Sequence, residues 1–170
     1  MKKVIHKADT RGHSQYDWLD SYHTFSFDEY FDSDRINFGA LRVLNDDKVA
    51  PGQGFQTHPH KNMEIISIPL KGHLQHGDSK KNSRIITVGE IQTMSAGTGI
   101  FHSEVNASPV EPVEFLTKFG LCRENGIPVP FIRILALQNW SVRTNWQSSY
   151  LPTVAHLLPF CKIPGSPSAK

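Results

Sequence analysis

A chain of 170 residues suits one domain, or one domain and a piece of another, and 38% hydrophobic residues are enough for a core. A formal net charge of +2, with no dense basic run beyond "SKKNSR" near residue 80, excludes an electrostatic case for nucleic acid or an anionic membrane. It leaves a small molecule or a protein as partner.

No apolar stretch approaches the roughly 18–20 residues of a membrane span, and the opening "MKKVIHKADTRGHSQYD" lacks the apolar centre of a signal peptide. A cytoplasmic protein is therefore expected. Cys122 and Cys161 are far apart and form no close-spaced metal or redox pair, so reduced thiols are expected.

Along the chain, "SYHTFSFDEYF" (21–31) alternates aromatic and polar residues and reads as an edge strand or an aromatic cluster closing one end. The runs "INFGALRVL", "MEIISIPL", "SRIITV" and "EIQTMSA" are rich in Ile, Val and Thr and are separated by Gly, Asn, Asp or Pro at intervals of about ten residues. Many short strands with turns between them predict an all-β sandwich or barrel. No long stripe of helical period competes.

After residue 120 the composition changes. All 16 acidic residues lie at or before Glu124, six of the 11 prolines follow residue 120, and "NWSVRTNWQSSYLPTVAHLLPF" has no clean helical or strand period. Residues 121–170 are therefore set apart as an atypical, irregular tail, and residues 1–120 as the folded domain.

The chemistry concentrates in two short motifs. In a strand, side chains two apart share a face, so His58 and His60 of "THPHKNMEII" point one way and Pro59 the other. His102 and Glu104 of "GTGIFHSEVN" repeat that geometry after a glycine-rich turn. If both strands face the inside of one small barrel, three imidazoles and a carboxylate meet there. Buried ionisable groups are costly unless paired or bound to metal, and such donors hold a hard or borderline divalent ion. His73 and His76 of "GHLQHGD" lie an odd number of residues apart and are expected on a turn surface. His6, His13, His23 and His156 have no evident partner. Core packing is the ordinary role of Phe25, Phe27, Tyr30 and Phe31, which could also line a pocket for a flat substrate. The glycines of "SAGTG" permit positive φ or close backbone approach beside the second motif.

"GQGFQTHPHKNMEIISIPLKG" (52–72) resembles the first motif of the cupins, and "GEIQTMSAGTGIFHSEVN" (89–106) resembles the second, with Ser95 where cupins commonly have proline. With "HTFSFDEYF" and "HGDSKKNS" in order, residues 2–117 resemble the pirin family. The resemblance implies a cupin (jelly-roll) β-barrel with metal ligands His58, His60, His102 and Glu104. Glu64, four residues from His60, is expected to share its face and to support a ligand histidine.

The same resemblance implies a metal-dependent dioxygenase of the pirin or quercetin 2,3-dioxygenase type, opening a flavonol ring with O2. Fe(II) is the first choice of ion, with Mn, Co, Ni or Zn also suited to the donors. A rival reading is a non-catalytic, redox-sensing metal protein that binds a protein partner; a third is an inactive truncated remnant. Pirins have two barrels, and the tail is not a complete second one. Asn145 to Thr153, "NWQSSYLPT", can be encoded so that a neighbouring frame reads "LAVIVSPD", which raises a frameshift as the origin of the tail. A lone first barrel would expose apolar surface and is expected to associate into a homo-oligomer.

Overall fold

The computed structural model describes residues 5–121 and 130–136. Apart from a 3-10 turn at Ala8–Thr10, the regular elements among them are strands: β1 Gly12–Gln15, β2 Leu19–His23, β3 Leu41–Val49, β4 Gly54–His60, β5 Met63–Lys71, β6 His73–Asp78, β7 Ser83–Thr87, β8 Glu90–Ser95, β9 Ile100–Asn106, β10 Val113–Leu121 and β11 Phe131–Ala136. Among the described residues no helix is long and apolar enough to cross a membrane.

The strands form a seven-stranded sheet of order β1-β2-β3-β10-β5-β8-β11 and a four-stranded sheet of order β4-β9-β6-β7. Every pairing is antiparallel. The core lies between the sheets. Leu19, Val49, Val113 and Phe115 of the larger sheet pack with Leu74 of the smaller. Towards the other end, Ile65, Met94 and Ala96 meet Ile100. The pattern follows from period-two alternation: Val43, Asn45, Asp47 and Val49 of β3 are buried, with less buried residues between them. β5 is buried on both faces from Glu64 to Ser67, which matches its continuous apolar run.

Three local features depart from the sequence expectation. The strand anticipated in "INFGALRVL" begins only at Leu41, after a bridge between Phe38 and Leu41 that encloses Gly39 at φ 59°. The segment 21–31 is neither one strand nor one cluster: β2 stops at His23, Phe25 is buried at 5% exposure, and Phe31 is 75% exposed. Within the segment set apart as a tail, Phe131–Ala136 adds an edge strand along β8, and Ile132 packs on the Ile65 cluster. Cys122, Cys161, His156 and residues 145–153 lie outside the described residues.

Candidate metal centre

β4 and β9 carry the two motifs and pair directly, with His58 opposite His102 and His60 opposite Ile100. A register shift between Phe55 and His58 makes this possible. Phe55 pairs with Glu104, so three steps along β4 cover two along β9, which is a β-bulge. Strict alternation would put Phe55 and the histidines on opposite faces. The bulge lets Phe55 pack on Trp18 and Phe115 while His58 and His60 turn to the same interior.

The three rings converge. Centroid separations are 4.4 Å for His58–His102 and 4.9 Å for both His58–His60 and His60–His102. One ring nitrogen from each lies within 4.8 Å of the others. His58 Nδ1 is 2.7 Å from the Gln56 carbonyl oxygen, which can only accept, so Nδ1 carries the proton and Nε2 offers its lone pair. His102 is 1% exposed, and neither of its ring nitrogens has a hydrogen-bond partner among the described residues. Burial pushes its pKa down to about 2, helped by the nearby His58, His60 and His76. Burial and His58 together lower His60 to about 4. At neutral pH these two rings are lone-pair donors. One partnerless nitrogen of His102, with a ring nitrogen each from His58 and His60 within 4.8 Å, makes a set that a divalent ion satisfies.

Glu104 follows His102 by two residues on the same inward face and is 3% exposed. It stands beside the converging trio rather than within it: Oε1 accepts a hydrogen bond from Ser67 Oγ of the facing sheet. Burial raises its pKa to about 7 against the lowering effect of that bond, and Asp47 raises it further.

Glu64 does not share the face of His60. The chain turns at Asn62, φ 54°, and crosses to the other sheet, so the i+4 count from His60 no longer fixes a face. On β5, Glu64 is three residues from the inward Ser67 and points outward, accepting from Ser95 Oγ at 2.6 Å. His76 also departs from expectation. His73 is exposed, as a turn surface would have it, but His76 is 1% exposed, opposite Glu104, with its ring 5.5 Å from His102. Its Nε2 is 3.1 Å from Asp78 Oδ2. The odd spacing already placed the two on opposite faces; that the even one lies against the metal candidates depends on β6 pairing with β9.

Two further histidines have defined contacts. His13 pairs with Asp20 at 2.6 Å and stacks on Tyr22, while His23 is buried between Ser14 and Asn45. Gly97 and Gly99 of "SAGTG" take φ of 48° and 145°, the first of the two roles expected for them. A recess of about 450 Å³ beside His60 is lined by Pro59, Lys61, Gly99, Ile100 and Phe101.

Two facing antiparallel sheets with inward histidines from an H-x-H strand and an H-x-E strand define a cupin fold. The chain belongs to the pirin family, whose sequence profile matches residues 4–118. It is 50% identical over 123 residues to a quercetin 2,3-dioxygenase of Escherichia coli K12, an alignment covering 72% of this chain and 53% of that one. The crystal structure of the bacterial pirin YhhW from Escherichia coli in complex with nickel(II) superposes with a TM-score of 0.75 at 46% identity, over 79% of this chain and 58% of that one. A quercetin 2,3-dioxygenase from Acinetobacter baumannii shares the fold, with a TM-score of 0.62 at 22% identity over 76% of this chain and 48% of that one. The chain thus spans about half the length of these relatives.

Proposed function

We propose that this protein is a metal-dependent dioxygenase that opens a flavonol such as quercetin with O2. The observation that carries the reading is the convergence of His58, His60 and His102, with ring nitrogens mutually within 4.8 Å. Support comes from the relatives, two of which bear the name quercetin 2,3-dioxygenase. His58, His60 and His102 would hold one divalent ion, with Glu104 turning from Ser67 to complete the set. Fe(II) is the proposed ion; the nickel(II) complex of the related pirin agrees with a site that accepts several.

A divalent ion there would supply Lewis-acid polarisation of the flavonol hydroxyl and the redox chemistry that O2 requires. The chain's own contribution is organisation. Gln56 fixes the His58 ring, burial keeps the His60 and His102 lone pairs free of protons, and the Glu104 carboxyl holds or releases a proton near neutral pH. The recess beside His60, with Phe101 on its wall, would admit a flat substrate next to an ion held there.

The test is oxygen consumption with quercetin by protein loaded anaerobically with Fe(II). Uptake matched by loss of flavonol absorbance, and abolished in His58→Ala, is the expected result. Metal-loaded protein that consumes no O2 above the free-metal control would refute the dioxygenase reading.

A further inference from the structure

A second cavity, of about 280 Å³, lies between the β1–β2 hairpin, the Phe27–Asp28 turn, β3 and β4, and none of the clustered histidines lines it. Its walls include Tyr16, Trp18, Phe27 and Phe55, and its lining contains two carboxylates, Asp47 and Asp28, but no lysine or arginine. Trp18 and Phe55 meet edge to face at 5.3 Å, and the Tyr16 hydroxyl donates to Asp28 Oδ2 at 2.6 Å. Asp28 itself holds φ at 53°, so this rim is set by a local backbone conformation that few non-glycine residues adopt.

Asp47 is the anomaly. It is 2% exposed, accepts hydrogen bonds from Ser21 Oγ at 2.5 Å and Thr117 Oγ1 at 2.8 Å, and forms no ion pair among the described residues. His23, which also lines the cavity, directs its ring nitrogens to the uncharged Asn45 and Ser14, at 3.0 and 2.9 Å, and not to Asp47. Buried carboxylates are balanced by a cation or driven towards the neutral form; burial raises the Asp47 pKa, the Ser21 and Thr117 bonds and the nearby His23 lower it, and the two hydroxyl donors supply no positive charge. Each Asp47 oxygen keeps a further lone pair.

We propose that this cavity is a second ligand site, recognising a small organic ammonium ion through the Asp47 carboxylate and the aromatic walls of Tyr16, Trp18, Phe27 and Phe55. Aromatic faces attract a poorly hydrated cation, and quaternary ammonium groups are the usual guests of such cages. A volume just under the roughly 300 Å³ at which ordinary ligand pockets begin limits the guest to about the size of choline. The site shares no residue with the proposed metal set, although Asp47 acts electrostatically on Glu104, and it does not require the dioxygenase reading.

Calorimetric titration of the whole chain with choline, and with its uncharged isostere 3,3-dimethyl-1-butanol, tests this. Choline is expected to bind the chelated protein at least about tenfold tighter than the alcohol does. Asp47→Asn keeps an acceptor for Ser21 and is expected to erase the preference; Trp18→Leu, which leaves the buried polar group intact, is expected to weaken choline. Equal binding of the two probes, binding of neither, a preference that survives in Asp47→Asn, or undiminished choline binding in Trp18→Leu would overturn the proposal.

Discussion

His102 lies opposite His58 across the β4–β9 pair with ring centroids 4.4 Å apart and planes tilted by 58°, and the bulge between Phe55 and His58 brings the two together. In the metal-free protein that relationship is unfavourable, because His102 buries two polar nitrogens with no hydrogen-bond partner among the described residues. Replacing His102 by Leu removes that penalty and one proposed ligand together. Thermal melting should show the chelated variant at least as stable as its parent, with the metal-induced rise in Tm gone. A variant that still gains stability from metal would show that His102 is no ligand.

If Glu104 joins the proposed coordination set, the proton that an ion displaces near neutral pH is its own, since its pKa sits at about 7. Below that pH, each unit of acidification should weaken metal binding by about tenfold on this group's behalf, and above it the effect should vanish. Competition with a chromophoric chelator from pH 5.5 to 8.5 measures this. In Glu104→Gln the component centred near 7 should disappear; a component that persists would remove Glu104 from the coordination set.

Metal-free stability should follow the same groups with opposite signs. His60 and His102 fall from 6.5 to about 4 and about 2 on folding, so the unfolded chain binds protons that the folded one does not. Their contribution is present above pH 6.5 and is lost as pH falls towards 4 and below. Glu104 rises from 4.5 to about 7, so its contribution is present below 4.5 and is lost as pH rises through 7. Between 4.5 and 6.5 two groups oppose one, and the Tm of chelated protein should climb there and turn over near 7. Differential scanning calorimetry at half-unit steps decides it; a monotonic fall across that range would contradict the assignment.

Ser67 should tune the site without touching the ion. Its hydroxyl donates to Glu104 Oε1 and favours the charged carboxylate. Ser67→Ala should move the pH midpoint of metal binding upward and lower stability by about 1–3 kcal/mol through the unsatisfied carboxyl. An unshifted midpoint would mean that the bond does not control Glu104.

Gly54 starts β4 against the backbone of β9. A Cβ there would lie 2.4 Å from the Glu104 carbonyl oxygen and 2.5 Å from Val105 Cα, both backbone atoms. Gly54→Ala should cost about 1–3 kcal/mol in urea unfolding and weaken metal binding by disturbing the β4–β9 register. A variant of parental stability would show that the strands have room to separate.

The residues themselves determined the all-β class, through short period-two runs such as Val43 to Val49, and the shared faces within each motif, His58 with His60 and His102 with Glu104. That information is local, because side chains alternate along any extended strand wherever it ends up. Only the tertiary structure decided what depends on pairing: the bulge that turns the first pair inward beside Phe55, the crossing at Asn62 that sends Glu64 outward, the β6–β9 ladder that buries His76, and β11 along β8. A bulge or a change of sheet resets the alternation count, and neither leaves a mark in the spacing of the residues on its two sides.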